Sequence, residues 1–249
     1  MPEPLPPPLP PETRTVGQLV AESIRFYQGR FWAVVPLGLS LAAIEQVSAG
    51  HSTATQALVL AAGAPLMTAS YVRAAQLVAG AGWSWPGFAA GVLIFLPVPA
   101  LMLLYDLPAL AWLAFVGLAV PAAVVERLGF RDALARGRRL GTVDYVHSLG
   151  GIATLAIVFG LTKFVLVLLL KGQADAAVRS ALFLADVVLS PLLYVGAALL
   201  YYDQAARAVH SRHHPGRNPD ADLHPAVDAL DPGRPDPQVE PRPAAGGQP

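Results

Sequence analysis

Six stretches of this chain, at about 31 to 49, 54 to 72, 88 to 105, 107 to 125, 149 to 170 and 179 to 202, are apolar over most of their length. A helix needs roughly 20 such residues to cross about 30 Å of hydrocarbon. Lipid offers no partner to a free N–H or C=O, so a chain of this kind must pair its backbone within helices or a closed barrel. The weak apolar-polar alternation of barrel strands is missing. The predicted fold class is therefore all-α: a polytopic membrane helical bundle of about six transmembrane helices. Composition agrees, with 54% hydrophobic residues, only 14% charged and a mean hydropathy of +0.49, against about 25% charged in soluble domains.

The membrane domain is expected to cover 13–207. Before it, residues 1–12 (MPEPLPPPLPPE) lack the basic and apolar regions of a secretory signal, and their prolines favour an extended, disordered lead. After it, residues 208–249 are rich in Pro, Asp and Gly and too poor in large apolar residues to bury a core, so a disordered tail is expected. The least regular part is FLPVPALMLLYDLPALAW, where Pro97, Pro99 and Pro108 flank Asp106. It reads as a tight turn between two spans or as one broken, re-entrant span. We adopt two spans.

Two amphipathic helices are expected at the membrane interface. In the first, Val16, Val20, Ile24, Tyr27 and Phe31 share one face, and Thr15 with Gln18 fits a capping box. The second, from Phe130 to Leu140, carries Arg131, Arg136, Arg138 and Arg139 against a single Asp132. Each feeds an aromatic at the mouth of a span, Phe31 and Tyr145, at an offset of 114 residues, which suggests an old internal repeat with Arg25 and Arg139 in matching places.

Six spans place Arg14, Arg25, Arg30, Arg73, Arg127, the four arginines of the second helix, Arg207 and Arg212 on one side, and only Lys171 and Arg179 on the other. Positive charge marks the cytoplasmic side, so both termini are expected there. Trp32, Trp83, Trp85, Tyr201 and Tyr202 fall near the same boundary, where amphipathic rings anchor. Arginine outnumbers lysine and alanine is abundant, which points to a GC-rich bacterial genome and hence to the bacterial inner membrane.

Charges inside the spans are the sharpest feature. Lys163 stands eight residues before Lys171 and Asp186 seven after Arg179, about 12 and 10 Å in from the outer boundary at 1.5 Å per residue. A charge at the bilayer centre costs about 2.5–3.5 kcal/mol on insertion scales. Three readings follow: Lys163 and Asp186 pair and fasten the last two spans, Lys163 snorkels outward along its stem, or Lys163, Asp186, Asp106 and Glu45 line a polar path for an ion or substrate. At the other face, the four arginines of the second helix are candidates for contact with anionic lipid or a partner, about 1 kcal/mol each, or serve only to set topology.

At VVERLGFRDALARGRRLGTVDYVHSLGGIA, together with TVGQLVAESIRFYQGRFW and PLLYVGAALLYYDQAAR, the chain resembles the bacterial family named for the membrane domain of glycerophosphoryl diester phosphodiesterases. The resemblance spans about Thr15 to Arg207 and implies a six-helix integral membrane domain, joined in some relatives to a soluble phosphodiesterase. The enzyme itself does not carry over: its His-Arg-Gly start is missing, and there is no room for a barrel of about 250 residues.

Other chemistry finds no support. Phosphate loops, nucleophile elbows and metal-binding spacings are absent. Zero net charge disfavours nucleic acid. Absence of cysteine removes disulfides, thiolate metal sites and a cysteine nucleophile. His147 reads as a polar interface residue, and His210, His213 and His214 as solvated rather than metal-binding. No catalytic residue, metal or cofactor is therefore expected. The leading functional reading is a non-enzymatic membrane scaffold or accessory protein that presents a basic cytoplasmic face to a protein partner or to lipid. The alternative is a small transporter or permease component built on the Lys163 and Asp186 layer.

Overall fold

The structure, a computed structural model, describes residues 14–213, with side chains up to Val209. The expected lead, most of the expected tail and the three tail histidines' side chains lie outside the described residues. Twelve α-helices and one 3-10 turn make up the described chain, with no strand among the described residues. They are α1 (Val16–Gly29), α2 (Phe31–Val34), α3 (Leu39–Ser48), α4 (Thr53–Ala62), α5 (Ala64–Ala79), α6 (Trp85–Phe95), α7 (Val98–Met102), α8 (Asp106–Val116), α9 (Ala119–Val125), α10 (Phe130–Val143), α11 (Tyr145–Leu169) and α12 (Asp175–His213). The 3-10 turn Val35–Gly38 links α2 to α3.

Several of these helices are pieces of longer spans. Among the described residues, Phe31–Ser48, Trp85–Met102, Asp106–Val125, Tyr145–Leu169 and Asp175–Val209 are each long and apolar enough to cross a membrane. Thr53–Ala62 and Ala64–Ala79 make a sixth span if counted as one bent by 49°. The protein is a multi-pass, all-α membrane bundle. The proline-rich stretch folds as two helical arms, α6–α7 and α8–α9, joined at residues 103–105, where Tyr105 is fully extended ahead of α8. Helix α12 continues to His213, past the boundary placed at 207.

Prolines explain where the spans break. A proline has no N–H for the carbonyl four residues earlier, so that oxygen needs another partner. Pro121 leaves the Gly117 carbonyl free at the α8–α9 junction, and the buried Tyr71 hydroxyl donates to it at 3.1 Å. Pro97 and Pro99 interrupt the α6–α7 arm at the Leu93 and Phe95 carbonyls, and the Trp112 indole donates to the carbonyl between them, Ile94 O, at 2.9 Å. Pro191 frees the Val187 carbonyl within α12, and Gly38 comes so close that a Cβ on it would stand 2.2 Å from that oxygen. Only glycine permits this approach, which presses the start of α3 onto α12.

The core lies among α5, α6, α9 and α12, where Tyr71, Val72, Ile94, Val120 and Val195 are buried together. A second cluster of Leu19, Leu118, Leu140 and Leu200 joins α1 and α10 to it. Helix α11 is peripheral: Ser148, Gly151 and Leu155 are buried, while Ile157, Leu161, Phe164 and Leu168 face outward. Apolar exposure of this kind suits a helix whose solvent is lipid.

Two sequence expectations shift. The capping box at α1 is present, with Thr15 N–H donating to Gln18 Oε1 at 2.8 Å and Thr15 Oγ1 accepting from Gln18 N. The helix buries Leu19, Ser23 and Tyr27, however, and leaves Ile24 and Phe31 exposed. It packs on α11 and α12, so its buried stripe of Leu19, Ser23 and Tyr27 is rotated from the apolar face expected from the sequence. Tyr201 is likewise no interfacial anchor, being 3% exposed inside the bundle, whereas Trp32 and Trp85 are exposed. Helices α1 and α10 are both 14 residues long, start and stop 114 residues apart, and are followed at that offset by Phe31 and Tyr145.

Candidate functional site

Three spans bring the intramembrane charges together. Helix α3 carries Glu45 one turn before its end, α11 carries Lys163 nearly two turns before its end, and α12 carries Asp186 three turns after its start. The Lys163 ammonium lies 2.8 Å from Asp186 Oδ1 and also contacts Glu45 Oε2. The Asp186 contact is an ion pair without an aligned hydrogen bond. Phe159, one turn back on α11, stands over the ammonium with its ring centre 5.2 Å away, a favourable cation–π distance. Exposure grades across the triad, from 39% for the Glu45 side chain through 16% for Lys163 to 2% for Asp186. The ammonium thus turns inward to two neighbouring helices and does not stretch to the headgroups.

The local chain explains this convergence. Ser190 Oγ donates to Asp186 O at 2.7 Å, and one residue on is Pro191, whose freed carbonyl admits Gly38. That contact seats the segment before α3 on α12 and so brings Glu45 level with Lys163. Tyr194 reinforces it through a 3.0 Å hydrogen bond between its hydroxyl and Ser40 Oγ.

Glu45 also lines a partly open cavity of about 860 Å³ bordered by α3, α4, α7, α8 and α11. Its walls are mainly apolar and include Phe95, Phe159 and Phe164; its polar residues are Glu45, Ser48, Thr53, Gln56 and Asp106, with no lysine or arginine in the lining among the described residues. Asp106, an exposed residue, begins α8 and also lines the cavity. It therefore shares the cavity with Glu45, yet makes no ion pair among the described residues. The structure joins Glu45, Lys163 and Asp186 directly and leaves Asp106 outside that cluster.

At the other end of the bundle is a charge network the sequence reading did not find. Arg14 Nη1 meets Asp203 Oδ1 at 2.7 Å, and Arg207 Nη1 meets Asp144 Oδ2 at 2.9 Å. Arg207 Nη2 donates to the Arg14 carbonyl at 3.0 Å, and Gln204 Nε2 to the Asp144 carbonyl at 3.1 Å. Asp144 also caps α11 by accepting from His147 N–H at 3.0 Å. Asp203 and Arg207 are buried, so these charges tie the entry to α1, the α10–α11 corner and the end of α12 into one joint. Their signal was an Asp and an Arg four residues apart, one helical turn, just past the apolar run of α12.

Helix α10 is clamped beside this joint. Its Gly137 and Gly141 press on α8 and α9 so closely that a Cβ would fall 2.3 Å from Ala119 N and 2.5 Å from Phe115 O. Arg136 Nε reaches Glu126 Oε1 at 2.7 Å, and the Tyr201 hydroxyl donates to the same oxygen at 2.6 Å. Arg136 is thereby occupied inside the fold. Arg131, Arg138 and Arg139 remain exposed, and the last two border a groove of about 550 Å³ with Thr142 and Asp132. No group of three or more metal-ligating side chains occurs among the described residues. No family model, curated protein or solved structure matches this chain.

Proposed function

We propose that this multi-pass membrane protein is a non-enzymatic scaffold or accessory protein whose arginine-rich end engages anionic lipid headgroups or a protein partner. The observation that carries the reading is the contrast along α10. One face is seated against neighbouring backbone, Arg136 is held by Glu126, and Arg131, Arg138 and Arg139 are exposed on a rigid platform. A helix that served only to fill space would not need three exposed cations, and anionic lipid rewards each by about 1 kcal/mol. The asymmetry of positive charge supports an orientation with this end, and both termini, on the cytoplasmic side of a bacterial inner membrane. The likeness to the membrane domain of glycerophosphoryl diester phosphodiesterases belongs to the same proposal, as a membrane domain without the enzyme.

The test is a mild-detergent pull-down of the tagged protein from native membranes, with mass spectrometry of retained protein and lipid. A stoichiometric partner or enriched anionic lipid that is lost when Arg131, Arg138 and Arg139 are replaced by Gln supports the reading. Unchanged recovery and unchanged binding to anionic nanodiscs would sink it. The second reading, a small transporter or permease component, is favoured by one observation, the cavity beside Glu45.

A further inference from the structure

We infer that the cavity between α3, α4, α7, α8 and α11 is a binding site for a lipophilic cation, with Glu45 as its principal counter-ion. The inference concerns the cavity of the second reading and is independent of the arginine-rich face. At about 860 Å³ the space falls within the range of pockets that hold small organic ligands, roughly 300–1,000 Å³. Its lining has the usual composition of such sites, with apolar and aromatic walls and a few convergent polar groups.

Charge selects the sign of the ligand. The Lys163 ammonium faces two carboxylates, and Asp106 adds a third in the lining, so one cation is set against three anions. The lining itself holds two of those carboxylates and, among the described residues, no lysine or arginine. An organic anion would meet uncompensated negative charge in an apolar chamber, whereas a cation would neutralise it. Phe95 and Phe164 add aromatic side chains to the lining, of the class that attracts quaternary cations.

The triad is also arranged so that a ligand can recruit Glu45 without stranding Lys163. Asp186, 2% exposed, holds the ammonium from the buried side, while Glu45, 39% exposed, holds it from the cavity side. An incoming cation competes with Lys163 for Glu45 alone, and the ammonium keeps Asp186 and the Phe159 ring. This gives a physical reason for two carboxylates on one lysine: the deep one fixes the spans together and the shallow one is available for exchange.

The experiment measures equilibrium binding of tetraphenylphosphonium to the full chain in zwitterionic phosphatidylcholine nanodiscs. Saturable binding of one cation per protein is expected, with none for the isosteric anion tetraphenylborate. Glu45→Gln should weaken it about tenfold or more, and Asp106→Asn by less. Gly160→Leu is the steric control, since Gly160 lines the cavity and a Cβ there meets nothing within 4 Å. It should weaken binding while thermal stability is kept or raised. Arg25→Gln, at an exposed pair outside the cavity lining, should leave binding unchanged. The inference is overturned if wild type shows no saturable binding, if tetraphenylborate binds as well, if folded Glu45→Gln binds like wild type, or if Gly160→Leu and Asp106→Asn bind like wild type. The last pair decides the matter even where Glu45→Gln does not fold. Binding is read without flux, so it stands or falls separately from transport.

Discussion

Replacing Lys163 with Met should be among the most damaging single changes in the transmembrane region. The side chain it removes neutralises Asp186, which is 2% exposed, at 2.8 Å, and touches Glu45 as well. Taking one partner from a buried ion pair typically costs 3–5 kcal/mol, because the remaining charge has neither water nor a counter-ion. Asp186→Asn should cost less, about 1–3 kcal/mol, because Lys163 keeps Glu45 and the new amide retains a polar contact. Glu45→Gln should cost no more than about 1 kcal/mol, the scale of an exposed ion pair, given that Glu45 is 39% exposed and Asp186 still satisfies the lysine. The triple replacement Lys163→Met, Asp186→Asn, Glu45→Gln removes all the charge and should recover most of the loss seen in Lys163→Met alone. The assay is reversible unfolding in mixed detergent micelles, with the couplings taken from double-mutant cycles. The reasoning fails if Lys163→Met costs less than about 1 kcal/mol, or if the triple variant is no more stable than the single. A charge exchange, Lys163→Asp with Asp186→Lys, offers a second check and should fold better than either of its single changes.

Other outcomes follow from the fold. Tyr71→Phe deletes the hydroxyl that serves the Gly117 carbonyl and should cost about 1–3 kcal/mol; adding Pro121→Ala, which restores a backbone N–H at the right place, should return part of it in the same unfolding assay. Gly137→Ala puts a methyl 2.3 Å from Ala119 N and should cost about 1–3 kcal/mol by overpacking, loosening α10 enough for protease cleavage to be seen at Arg131. Gly160→Ala, at an open helix position, should instead stabilise by up to about 1 kcal/mol. Arg14→Met leaves the buried Asp203 carboxylate without its 2.7 Å partner and should lower the midpoint of thermal unfolding, whereas Arg25→Met, at an exposed i,i+3 pair, should not.

The charged residues show most clearly where sequence reading stopped. Lys163, Asp186, Glu45 and Asp106 stood out because a charge in an apolar run is rare and expensive, whatever surrounds it. Deciding which of them touch required three helices in register, and the register depends on Gly38 meeting the carbonyl that Pro191 frees. Arg14, Asp144, Asp203 and Arg207 were passed over because each sits near a span end, where a charge has a ready explanation in solvent or headgroups. Their pairing across 189 and 63 residues of chain exists only in the folded bundle.

The amphipathic faces taught a related lesson. In water an apolar stripe faces protein, but in a bilayer lipid and protein accept the same residues, so periodicity did not separate Leu19 and Tyr27, which are buried, from Ile24 and Phe31, which are exposed. Hydropathy and backbone pairing alone determined the all-helical class, the approximate spans and the asymmetry of positive charge, since those depend on local composition and on the absence of water in hydrocarbon. Tertiary structure decided which carbonyls Tyr71 and Trp112 serve, which of the α10 arginines are spent on Glu126, and that Glu45 and Asp106 share one cavity. These are meetings between residues distant in the chain, and only the packing of one helix on another brings them about.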